Sequence, residues 1–237
     1  MTNQKQALIW KQMAPVSFLD ITQSSADALG VRPGRVPLGL EQELKRQVLS
    51  PITFAGAFEV FDFSKGYDPA RERRYRFGVG RWDEDRIGMY TTELFQSGGE
   101  PRTVHMGLDL QADEGTPVFA GLPGVIWGTA ILRSPGDYGG VVIVRSHFLT
   151  GSGERQEIFV LYGHLSHLSV RRCEQGQEIG QGDLIGWLGG PTENGGWNPH
   201  LHLQMSWLEP KAVDLPGAVR LQHRELARIL FPEPLFF

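Results

Sequence analysis

The chain has 237 residues, 41% of them hydrophobic and 21% charged, and a formal net charge of -4. That balance belongs to a globular protein and excludes a largely disordered one; with no basic block, charge makes no case for nucleic-acid binding. A lone cysteine, Cys173, excludes an intrachain disulfide, and no run approaches the ~18 apolar residues of a membrane-spanning helix.

The chain opens with MTNQKQALIWKQMAPVSF, in which Lys5, Lys11 and Gln12 interrupt the apolar core that a signal peptide needs. With a single cysteine, this predicts a soluble protein of a reducing, cytoplasmic compartment; export by another route stays compatible with the same residues. ALIWKQM and LEQELKRQVL have helical spacing, and Leu40, Leu44 and Val48 fall on one face. FDFSKGYDPARERRYRFGVGRW is mixed polar and aromatic. Residues 1–95 are therefore read as an α/irregular N-terminal extension packed on the domain that follows.

From about residue 96 the punctuation changes. The chain's 30 glycines and 15 prolines are spread between short apolar runs, the pattern of a β-rich domain with many turns. Expected strands are Pro117–Ala120, Gly124–Leu132, Val141–Arg145, Ile158–Tyr162, Leu184–Leu188 and His200–Trp207. SPGDYGG (134–140) reads as a hairpin turn, and GSGERQ (151–156) separates another pair. VRLQHRELARIL predicts a short amphipathic helix stopped by Pro232. The main domain is assigned to 96–215, and the C-terminal helix and tail to 216–237.

Chemistry concentrates in the histidines. In ENGGWNPHLHLQM, a strand puts His200, His202 and Gln204 on one face and Leu201, Leu203 and Met205 on the other. A helix would point the two rings apart. In VHMGLDLQADEGTPV, the alternation of Val104, Met106, Leu108 and Leu110 predicts an extended segment that aligns His105, Gly107 and Asp109. Gly107 would leave room there for an ion, and a neutral imidazole and a carboxylate are both zinc ligands. In VLYGHLSHLSV, Tyr162, His164 and Ser166 share a face, and His167 begins a turn. His147 is read as the end of an apolar strand, and His223 lies on the polar side of the predicted helix. Each signal by itself also fits solvent-facing polar residues on strands. Jointly they supply one carboxylate and several imidazoles, as a catalytic metal with an added general base and an oxyanion stabiliser requires.

HMGLD, LYGHLS and HLH, in that order, resemble the motifs of the lysostaphin-type (LytM-like) zinc metallopeptidase family. The run GQEIGQGDLIGWLG resembles that family's glycine-rich hairpin, and the likeness covers about residues 100–208. It implies a mainly β fold, an antiparallel β-sheet groove of duplicated hybrid-motif type. It implies one Zn²⁺ held by His105, Asp109 and His202, with His164 and His200 as non-ligand catalytic histidines. His200 is the expected general base and His164 the expected stabiliser of the tetrahedral intermediate. The implied activity is metalloendopeptidase hydrolysis of peptidoglycan-type or glycine-rich short peptides. The alternative is a catalytically silent or latent binding module that retains zinc. RTVHMGLDL, ENGGWNPHLHLQ and the tail also resemble the peptidase-like module of kinase/peptidase/aminotransferase fusion proteins. The family's wall-cleaving members usually carry a leader, so the absence of a signal-peptide pattern departs from them. A lipoyl-type carrier hairpin is rejected, because no lysine lies between Lys65 and Lys211.

Overall fold

The computed structural model describes residues 16–235. The helix expected at ALIWKQM lies outside them. A small antiparallel ribbon, β1 (Ser17–Ile21) with β2 (Gly34–Leu38), starts the described chain. Strands β3 (Glu59–Phe61), β4 (Gly78–Gly80) and β5 (Glu84–Asp85) follow. Then come β6 (Arg102–His105), β7 (Leu108–Gln111), β8 (Pro117–Phe119), β9 (Gly124–Leu132) and β10 (Gly139–Leu149). The last are β11 (Arg155–Leu165), β12 (Glu178–Ile179), β13 (Leu184–Trp187), β14 (His200–Ser206) and β15 (Ala218–Arg220).

The protein is mainly β, as expected. Its central sheet has eight strands in the order β12-β9-β10-β11-β14-β7-β4-β3. Neighbours run antiparallel except β3 and β4, which pair in parallel. The middle strands carry the core because both their faces are covered. Val141, Val142, Ile143 and Val144 in β10 are all fully buried, as are Val160, Leu161 and Tyr162 in β11. Two further sheets, β13-β8 and β15-β6-β5, flank this layer. One core cluster runs from Ile21 to Leu235, so the segment before residue 96 shares it. That segment also contributes β3 and β4, and β4 pairs directly with β7.

Several boundaries shift. Val141–Arg145 and Ile158–Tyr162 are the centres of longer strands. His147 is inside β10, not at its end. Beyond Arg145 the side chains still alternate, with Ser146 and Phe148 buried and Leu149 exposed, so pairing with β11 continues. The helix expected over LEQELKRQVL is confined to Glu41–Lys45, although Leu40 and Leu44 are buried and Val48 packs against the core. The C-terminal helix is Arg224–Leu230. Its expected first residues are taken by β15, where Val219 pairs with Val104. Among the described residues, no helix is long and apolar enough to cross a membrane.

Candidate metal centre

Three adjacent central strands place the site. His202 on β14 lies opposite Asp109 on β7 and opposite Gly163 on β11. His200 is two residues from His202 on the same strand, and His164 follows Gly163. His105 arrives from a different sheet, at the end of β6. The extended run expected over 104–110 is thus broken: Met106 and Gly107 form a bend between β6 and β7. The bend is held by the Met106 amide donating to the Gly217 carbonyl. The space at Gly107 is filled by the His202 ring. A Cβ there would lie 2.3 Å from that ring's Cε1.

All five candidate residues are buried and converge on one cleft. His105 Nε2 is 3.1 Å from Asp109 Oδ1. His202 Nδ1 is 3.1 Å from the same oxygen and 3.0 Å from His105 Nε2. Hydrogen bonding on the far side of each ring defines what faces inward. His105 Nδ1–H donates to the Arg81 carbonyl at 2.9 Å, and His202 Nε2–H donates to Gln204 Oε1 at 2.9 Å. In these tautomers, His105 Nε2, His202 Nδ1 and Asp109 Oδ1 turn three lone pairs toward one point, with no proton between them. Ligands about 2.0 Å from a tetrahedral zinc lie about 3.3 Å apart, close to the observed triangle. The donor set therefore fits a metal ion.

The other two histidines are oriented in the same way but sit beside the triangle. His164 Nδ1–H donates to the Asn194 carbonyl at 3.0 Å. His200 Nδ1–H donates to the Asn198 carbonyl at 2.7 Å, and its Nε2 lies 3.7 Å from Asp109 Oδ1. Their ring centroids are 4.3 Å apart. His164 has a left-handed backbone, φ +64°, which is costly for a residue with a Cβ. His147, His167 and His223 do not line the cleft. His167 is the first residue of a short helix, His167–Arg172, capped by Ser166.

Electrostatics separate the groups. Burial pushes His105 down to about 4, aided by the Arg86 charge. Burial, then the neighbouring His200 and His202, hold His164 well below the ordinary imidazole value. Burial opposes ionisation of Asp109, but His105 and Arg86 outweigh it and keep its carboxyl well below the usual range.

Several contacts had no sequence signal. Arg86 donates from Nη1 to Asp109 Oδ2 at 2.6 Å, from DEDR (83–86), just past the mixed polar and aromatic run. Tyr138 approaches His202 Nε2 at 3.3 Å and donates to the Leu215 carbonyl. Tyr90, Phe95 and Trp197 form an aromatic wall of the same cleft, whose cavity volume is about 70 Å³.

Residues 103–215 match the model of peptidase family M23. No curated protein sequence matches the chain. Among solved structures, the catalytic domain of the prophage-encoded M23 protein EnpA from Enterococcus faecalis is 20% identical, with TM-score 0.40, over 58% of this chain and 84% of that one. The catalytic domain of the antimicrobial peptidase lysostaphin from Staphylococcus simulans is 18% identical, with TM-score 0.37, over 63% and 94%. A zinc-containing peptidase from Vibrio cholerae is 23% identical, with TM-score 0.34, over 51% of this chain and 33% of that one, so the chain spans about a third of its length.

Proposed function

We propose that the chain, whose residues 103–215 match the model of peptidase family M23, is a zinc metalloendopeptidase. The observation that carries the reading is the triangle of inward lone pairs from His105, Asp109 and His202 beside two further oriented imidazoles. Zinc bound there supplies a polarised scissile carbonyl and a water acidified toward a pKa of about 7.

The chain's own residues do the rest. His200 has its Nδ1–H committed to Asn198, so Nε2 is the nitrogen that takes the proton from water. His164 stabilises the oxyanion. It rests neutral because of burial and its imidazole neighbours, and negative charge developing on the substrate oxygen favours its protonated form. The wall formed by Tyr90, Phe95 and Trp197 excludes water on one side of the cleft. Peptidoglycan-type or glycine-rich short peptides, with little side-chain bulk, suit a cleft walled in this way.

Replacing His202 with Ala is expected to abolish stoichiometric zinc, and replacing His200 with Ala to keep zinc while losing turnover on a peptide library. Full zinc in the first variant, or full turnover in the second, overturns the respective role. A second reading, a zinc-retaining regulatory module, is favoured by Met89, Tyr90, Leu94 and Phe95, which reach the cleft from the N-terminal segment. Bound zinc with no hydrolysis of any library member supports it.

A further inference from the structure

Arg86 is 1% exposed, and it lies outside the family-matched residues 103–215. A guanidinium is expensive to bury and is retained only where its donors are met. Here they are. Nε donates to Glu84 Oε2 at 3.0 Å, Nη1 to Asp109 Oδ2 at 2.6 Å and to the Tyr90 hydroxyl at 3.2 Å, and Nη2 to the Arg81 carbonyl at 3.2 Å. That Arg81 carbonyl also accepts from His105 Nδ1. Gly80, opposite Asp109 in the β4–β7 register, makes space for this arrangement: a Cβ there would lie 2.7 Å from Arg86 Nη2.

Well-packed apolar residues often stabilise a protein as much as a buried ion pair does. Stability alone therefore gives no reason for a guanidinium at this position. Its fork reaches two of the three metal-facing residues, one directly and one through a shared carbonyl. Resting on the zinc-site reading above, we infer that Arg86 is the positioning residue of the metal centre. It reserves Asp109 Oδ2, leaves Oδ1 as the single carboxylate oxygen for the ion, and steadies His105 through the Arg81 carbonyl. One-oxygen ligation keeps a coordination position open for water and substrate, as a catalytic site needs. The family-matched segment contains all three ligands, yet the centre is complete only with residues 81–86.

The test uses the full chain in four forms: native, Arg86→Lys, the double substitution Glu84→Gln with Arg86→Met, and Leu29→Ala. Leu29 is fully buried and does not line the cleft, and its truncation serves as a destabiliser outside the site. Zinc affinity is measured by chelator competition, the cobalt-loaded protein by visible absorption, and the metal-free protein by thermal unfolding. Lysine keeps the charge but is a point donor that cannot span Asp109 and the Arg81 carbonyl. The double substitution removes the buried Glu84–Arg86 pair together and so leaves no unpaired Glu84 charge, and the thermal melt of the metal-free protein shows whether it folds. Both Arg86 variants are expected to lose about 10–100-fold in zinc affinity, with an altered cobalt spectrum. Leu29→Ala is expected to unfold at lower temperature yet bind zinc as the native chain does. Affinity within about twofold of native and a native cobalt spectrum in either Arg86 variant overturn the inference. So does an equal affinity loss in Leu29→Ala. If the native chain binds no zinc, the zinc-site reading itself fails; if native and variants bind alike, only the role of Arg86 fails.

Discussion

Gly107 and the imidazole of His202 occupy the same space. A Cβ on Gly107 would lie 2.3 Å from Cε1, 2.4 Å from Nε2 and 2.9 Å from Nδ1 of that ring. The ring has little room to retreat, because Gln204 holds its Nε2–H and Asp109 Oδ1 lies 3.1 Å from its Nδ1. Gly107→Ala is therefore expected to cost about 1–3 kcal/mol of stability through overpacking. It should also turn His202 out of the donor triangle and remove stoichiometric zinc. Metal analysis beside a denaturant melt checks both; an alanine variant with native zinc content would show that the bend is free to move.

His164 makes a different claim on the backbone. Its φ of +64° is a conformation that L-residues adopt at a cost of about 1–2 kcal/mol, and glycine at almost none. Glycine also adds freedom to the unfolded chain, worth about 0.4–1 kcal/mol. His164→Gly should still exceed His164→Ala in stability, by about 0.5–1 kcal/mol. Both should keep zinc and lose turnover. Equal or reversed stabilities would mean that the left-handed turn stores no strain.

The two kinds of signal differ in how far they were legible. Gly124–Leu132 could be read with its boundaries because alternation and flanking turn residues are local properties. The five candidate residues were legible because their spacing is short within each of three segments, and the structure brings them into one cleft. What could not be read depends on pairing between distant segments. The bend at Met106–Gly107 arises because β6 and β7 belong to different sheets. The Arg86–Asp109 contact joins the residue after β5, whose strand pairs with β6, to β7 in the central sheet, and nothing in the polar run around Arg86 announces a buried guanidinium. The helix at Glu41–Lys45 is shorter than its apolar spacing predicted, since tertiary burial of Leu40, Leu44 and Val48 does not require helical hydrogen bonds throughout.

Gln204 is the acceptor that fixes which nitrogen of His202 faces inward. Gln204→Leu removes that acceptor and leaves a buried Nε2–H with only the Tyr138 oxygen nearby. A lost buried partner costs about 1–3 kcal/mol, and loss of a hydrogen bond behind a ligating imidazole typically weakens metal binding by about 10–100-fold. Gln204→Glu keeps an acceptor and should keep the affinity. Chelator competition on the two variants decides it. Equal zinc affinity in the leucine variant would overturn the assigned tautomer.

Asp214 is an exposed residue lining the cleft, where desolvation of its carboxyl and repulsion from Asp137 push it up to about 6. Because the folded value lies above the ordinary 3.8, the folded protein binds more protons than the unfolded chain between the two values. The linkage slope is then negative: stability from this group falls as pH rises from about 4 to about 6, and the penalty is complete above that. Asp214→Asn removes the titration. In metal-free protein it should raise the melting temperature at about pH 7 and leave it unchanged well below pH 3.8, where the native carboxyl is neutral in both states. A melting series across that range tests the sign as well as the size. A gain of equal height at both ends would trace the effect to packing or hydrogen bonding rather than to charge.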